Sequence, residues 1–181
     1  MSRPRECSGK TDHGIAPSHL VKKPVLLKAI IARLDAELAL SLHAARAAAA
    51  GATDEQNKAE NKYDTRGLEL SYLAAGQGRQ IAEAEATIEQ LRHLALRDFG
   101  PCDPIDLTAV ISLENLGKTT DAQPLYFLAP RGGGTEVRHA GRDILVITPQ
   151  SPLGQQLLGR RQGDVIAFGP DAAERRIESV C

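Results

Sequence analysis

Two runs of apolar residues at alternating steps of three and four constrain this chain more than any other feature. In the first, Leu27, Ile31, Leu34, Leu38, Leu42, Ala45 and Ala49 fall on one face of a helix. In the second, Leu70, Ala74, Gln77, Ile81, Ala84, Ile88, Leu91 and Ala95 do the same. A helix with one narrow apolar seam must cover it. Two such helices close in sequence cover each other by folding back as an antiparallel coiled coil. Helix one is expected to start near Pro24, since proline suits a first helical turn, and to end at Gly51. At roughly 1.5 Å per residue it would be about 40 Å long. Helix two is expected from about Gly67 to Arg97, with Gly67, Gly76 and Gly78 weakening its start. The connection from Ala52 to about Arg66 is polar, with four acidic and three basic residues between Asp54 and Arg66. Charges at the far end of such a rod contribute nothing to a core, so the hairpin has the form of a probe.

The remainder divides around this hairpin. Residues 1–23 hold five basic and two acidic residues with little apolar material, and read as a disordered tail. Residues 24–98 are the helical finger. Phe99-Gly100-Pro101 then breaks the helix and opens a third part, 99–181. Its strand candidates are Leu107–Leu113, Leu125–Leu128, Thr135–Arg138, Ile144–Thr148, Val165–Phe168 and Arg176–Val180, with Arg131-Gly132-Gly133-Gly134 as a hairpin turn. Ser151 caps a short helix, Pro152 takes its first position, and Leu153, Leu157 and Leu158 face the sheet. The class is therefore α+β: an N-terminal antiparallel coiled-coil hairpin, then a small antiparallel sheet crossed by one helix.

Composition narrows the function. The net charge is −1, and residues 99–181 carry ten acidic and eight basic side chains, which gives no footprint for direct nucleic-acid or anionic-membrane binding. No apolar run approaches the roughly 20 residues of a membrane span. The first residues are polar where a secretory signal would be apolar, so a cytoplasmic protein is expected. Cys7, Cys102 and Cys181 are far apart and form no metal-binding spacing, which predicts unpaired thiols. His43 and His93 have no ligand partners at metal spacing and are read as surface residues. Leu116-Gly117-Lys118-Thr119-Thr120 lacks both the first glycine and the following helix of a phosphate-binding loop. Aromatic residues are 3% of the chain, which favours closely packed helices over a broad aromatic-lined pocket.

A resemblance enters through the last part. Val146-Ile147-Thr148-Pro149-Gln150-Ser151-Pro152-Leu153-Gly154, then Leu157-Leu158-Gly159-Arg160 and Gly163-Asp164-Val165, is similar to the C-terminal signature of the GreA/GreB transcript cleavage factors. Glu60-Asn61-Lys62-Tyr63 resembles that family's Glu-Asn-x-x-Tyr tip run, one residue shorter. The resemblance spans about residues 24–180. It implies an FKBP-like sheet domain that docks on bacterial RNA polymerase, here through Ser151, Pro152, Leu153, Leu157, Leu158, Arg160 and Arg161. It also implies a coiled coil inserted into the secondary channel, modulating elongation and stimulating cleavage of backtracked RNA. Glu60, supported by Asp54 and Glu55, falls at the tip, and Glu60 and Asp54 would hold a transient Mg²⁺ shared with the polymerase. The family's tip aspartate is replaced by Asn57. The chain would be a monomeric regulator of the polymerase's own cleavage, not an enzyme. It would touch the nascent RNA 3′ end only through the polymerase and would not engage a membrane. The alternative class is a coiled-coil interaction or structural protein that does not bind polymerase.

Overall fold

The computed structural model describes residues 21–52, 66–100, 102–116, 124–169 and 173–181. The chain is α+β. Helices α1 (Lys23–Ala52) and α2 (Arg66–Arg92) come first, followed by strands β1 (Val110–Asn115), β2 (Leu125–Leu128), β3 (Glu136–His139) and β4 (Arg142–Ile147). A short helix α3 (Pro152–Leu157) separates these from β5 (Val165–Phe168) and β6 (Ala173–Val180). Two compact units result, one comprising Ile31–His93 and the other uniting residues up to Ile30 with Leu94–Cys181.

In the helical unit, burial follows the expected seam. Ile31, Leu34, Leu38, Leu42 and Ala45 are half-buried while Arg33, Glu37 and Leu40 stand in solvent. On α2, Ile88 and Leu91 are buried, Ile81 and Ala84 are half-buried, and Gln77 is exposed. Arg92 reaches Asp35 at 3.3 Å, and Leu34, Leu38, Ile81 and Ala84 line one groove of about 320 Å³. Helix α2 stops five residues before the expected Arg97. The reason is tertiary. From Leu94 to Arg97 burial alternates with period two, the Arg97 N–H donates to Thr108 Oγ1 at 3.0 Å, and the Arg97 carbonyl accepts from Lys23 Nζ. An extended segment gains these partners, and local helix propensity is overruled.

The sheet has the order β3-β4-β2-β1-β6-β5. It is not wholly antiparallel, as the sequence had suggested, because β2 and β4 pair in parallel, Leu125 with Ile144 through Leu128 with Ile147. The segment containing Arg131–Gly134 is correspondingly no hairpin turn. It crosses the end of β4, with the Ala129 N–H donating to the Ile147 carbonyl and the Gly134 N–H to the Val146 carbonyl. The chain thereby skips one place, and β4 returns into the gap through a tight turn at Ala140 and Gly141, both at positive φ. A parallel neighbour demands such a crossover, and seven glycine-rich residues suffice when it leaves and re-enters at the same end of the sheet.

Strands β1 and β2 are buried on both faces. One face carries Ile111, Leu113, Tyr126 and Leu128 into a cluster with Leu153, Leu157, Ile166 and Ile177. The other presents Val110, Leu125 and Phe127, also fully buried, and Leu26, Leu27 and Ile30 from the first turns of α1 belong to the same compact unit. Strand β1 begins at Val110, three residues later than expected, because Thr108 adopts φ 72°. A β-branched residue is rare there; it is held by donating its N–H to Leu128 and accepting from Arg97. Cys102 is disulfide-bonded, which corrects the expectation of unpaired thiols. A bridge between cysteines this far apart leaves no short spacing to read.

Candidate functional site

The segment Thr148–Asp164 is built around one close approach. Ser151 sits at the N-cap of α3, donating its hydroxyl to the Thr148 carbonyl at 2.7 Å and accepting from the Gly154 N–H at 3.1 Å. Pro152 fills the first turn, where its missing N–H costs nothing. Gly154 then passes so near the Thr148 carbonyl that an added Cβ would lie 1.9 Å from its oxygen. Leu153 and Leu157 turn inward to the core. The helix ends at Leu158; Gly159 follows at φ 77° and gives its N–H to Ile105, whose own N–H reaches the Arg160 carbonyl. Gly163, at φ 90°, leads into Asp164, whose carboxylate takes the Arg161 N–H at 2.9 Å.

The seven docking residues expected from sequence therefore separate. Pro152, Leu158, Arg160 and Arg161 are exposed, and a partner can reach them. Ser151 is half-buried and occupied as a cap, while Leu153 and Leu157 are 3% and 0% exposed and shape the surface from beneath. Beside the cap lies a cavity of about 400 Å³ walled by Tyr126, Leu145, Leu153 and Phe168, with Gly133 and Thr148 also lining it. That both Leu145 of β4 and Phe168 of β5 line it means the sheet curls until strands four places apart face one space. Neither the cavity nor the need for glycine at 154 is legible from sequence, because both depend on that curl.

Glu60, Asp54, Glu55 and Asn57 lie outside the described residues. Among the described residues no group of carboxylates, histidines and cysteines is placed to hold a metal ion. His43 and His93 are exposed, His93 beside Glu89 at 3.3 Å. The leucine-glycine-lysine run after Asn115 extends beyond the described residues at Gly117. No helix among the described residues is long and apolar enough to cross a membrane.

One constellation had no sequence signal. Lys23, 6% exposed, lies with its ammonium 4.7 Å from the Phe99 ring centre, and the Arg97 guanidinium lies 4.8 Å from the same ring. Burial pushes the Lys23 ammonium below its usual pKa, against the opposing charges at Cys181 and Asp98, with Arg97 adding to the depression. Asp103 completes the arrangement, bonding the Gly100 N–H at 2.9 Å and pairing with Arg97 at 3.7 Å. These contacts anchor the extended segment that follows α2.

No family model matches the chain, and no curated protein matches it. Among solved structures it is similar to the GreA factor homolog 1 protein of Thermus thermophilus, at 24% identity over 85% of this chain and 96% of that one, with a TM-score of 0.34. Gfh1 of Thermus aquaticus is similar at 24% identity, over 84% and 94% of the two chains, with a TM-score of 0.33.

Proposed function

We propose that the protein is a Gre-like regulator of transcription elongation, docking on RNA polymerase through an FKBP-like sheet domain and inserting a coiled-coil hairpin into the secondary channel. The observation that carries this reading is a coincidence within one chain. Residues 146–165 resemble the family signature and fold as a single cap, helix and turn around Gly154. The same chain carries two long helices, α1 and α2, joined in sequence by a polar connection. The pairing of Asp35, early in α1, with Arg92, at the end of α2, is the order an antiparallel hairpin requires. Docking would use exposed Pro152, Leu158, Arg160 and Arg161, supported from within by Ser151, Leu153 and Leu157.

At the tip, Glu60 and Asp54, with Glu55 beside them, are hard oxygen donors of the kind Mg²⁺ prefers, and one or two carboxylates suffice when a second body supplies the rest. A shared metal ion would supply activation of a water for phosphodiester hydrolysis. Asn57 removes one negative charge from that set, and Lys58 and Lys62 flank Glu60, so the tip favours channel occupancy over strong cleavage.

The test is nascent-RNA cleavage in a purified backtracked elongation complex with Mg²⁺, alone and in competition with a genuine cleavage factor. Acceleration, or competitive suppression of that factor, supports the reading. A protein that neither accelerates nor competes is instead an interaction module without polymerase binding.

A further inference from the structure

The two edges of the sheet are finished differently. At β3, His139 and Arg142 flank the two-residue turn, and strand alternation then directs the backbone groups of Glu136 and Arg138 outward. Both side chains are charged and exposed, the usual protection of an edge against further pairing. At β5, the Gly163 N–H donates to the Ile177 carbonyl and the Ile177 N–H to the Asp164 carbonyl, which sets the alternation there. Ile166, opposite Arg175, is the next bonded pair, so Val165 and Ala167 direct their N–H and C=O groups away from β6. Among the described residues nothing pairs with those groups. The strand is Val-Ile-Ala-Phe, with no charge and no proline, and Val165 is 43% exposed.

The charge around this edge is lopsided. Arg160 and Arg161 precede β5, both exposed, and neither forms an ion pair among the described residues. The nearby acid, Asp164, is engaged by the Arg161 backbone. Arg176, opposite Val165, pairs with Glu114 at 3.8 Å. Glu174, opposite Ala167, makes the other end acidic. We propose that the outer edge of β5 accepts a strand from a partner protein: a short extended segment of alternating apolar residues whose carboxylates lie beside Arg160 and Arg161. Backbone pairing to Val165 and Ala167 supplies the affinity, and the arginines set the direction. A second copy fits less well: antiparallel pairing of β5 with itself places each arginine pair toward the Phe168 end of the other strand, where Glu174 stands one strand in from the edge, on β6. The inference deepens the docking reading, resting on it only in that the sheet domain engages a protein.

The probe is a labelled synthetic peptide of two glutamates followed by alternating valine and threonine, titrated into the full chain by fluorescence anisotropy. N-methylation of alternate peptide amides, and separately Arg160→Glu with Arg161→Glu, should each weaken binding at least about tenfold. Exchange of the Val165 and Ala167 amide protons should slow by at least about tenfold in the complex. Ala167→Pro, which removes an N–H that the fold does not use, should abolish binding; if that variant fails to fold, the N-methylated peptide still decides. No binding up to about 1 mM overturns the proposal, as does binding indifferent to N-methylation. A dimer in sedimentation that Ala167→Pro disperses overturns it in favour of a second copy. A chain that binds the peptide but not polymerase keeps the edge and discards the polymerase reading. The converse result does the reverse.

Discussion

At the scale of single residues, the signature segment is an exercise in steric necessity. Ser151, Pro152 and Gly154 are recognisable in sequence as cap, first turn and glycine, but only the structure shows why glycine is needed: no side chain fits against the Thr148 carbonyl. Gly154→Ala should destabilise the sheet unit by about 3 kcal/mol, the overpacking range, whereas Ser151→Ala should cost about 1 kcal/mol, the value of a cap. Urea denaturation of both variants separates the two effects, and a Gly154→Ala loss no larger than that of Ser151→Ala would contradict the close approach. Lys23 gives a second prediction. Its folded pKa lies below the ordinary 10.5, so between that folded value and 10.5 the unfolded chain binds more protons. Stability contributed by this residue therefore rises with pH through that window, and the penalty of its buried charge is fully present below it. The stability of the native chain relative to Lys23→Met should increase as pH approaches 10.5. A pH-independent difference in unfolding midpoint would show that the ammonium is not desolvated.

At the scale of elements, local pattern and tertiary demand part company at identifiable places. The seam of α1 was legible because heptad spacing survives any surroundings, and the half-burial of Ile31, Leu34, Leu38 and Leu42 follows it. Strand centres were legible where β-branched and aromatic runs lie between glycine or proline, as Val165–Phe168 does between Gly163 and Gly169 and Leu125–Leu128 between Pro124 and Pro130. The end of α2 was not, since nothing between His93 and Asp98 is a helix breaker and the segment is extended by partners in Lys23 and Thr108. Nor was the parallel β2–β4 pair, because a crossover and a hairpin have the same glycine-rich signature. Gly76 and Gly78 allow a check on α2. Each lies in the helix with no atom within 4 Å of an added Cβ. Gly76→Ala and Gly78→Ala should therefore each stabilise the helical unit by up to about 1 kcal/mol. Thermal unfolding should move upward in both, and a downward shift would mean that these positions need glycine for a partner or for bending.

At the scale of the whole molecule, the proposed function would depend on what the connection between α1 and α2 adds to a polymerase active centre. A carboxylate tip acts by bringing negative charge to a metal ion that the factor does not bind tightly alone. Each charge matters because the ligand set is small. This chain offers Glu60 and Asp54 but places the neutral amide of Asn57 where the family resemblance calls for an acid, with Lys58 and Lys62 adjacent. The wild-type chain should therefore compete for the backtracked complex while accelerating cleavage weakly. Asn57→Asp should raise the Mg²⁺-dependent cleavage rate by about tenfold or more, since one added charge–metal contact in such a site is worth at least about 1.4 kcal/mol. Glu60→Gln should cancel that gain without weakening competition, because the proposal assigns docking to the sheet domain and not to the tip. An Asn57→Asp variant that competes as before yet cleaves no faster would show that the tip path differs from that of the cleavage factors, leaving channel occupancy as the activity. Loss of competition in the tip variants would instead place the binding energy at the tip, and the division of labour between the two units would have to be redrawn.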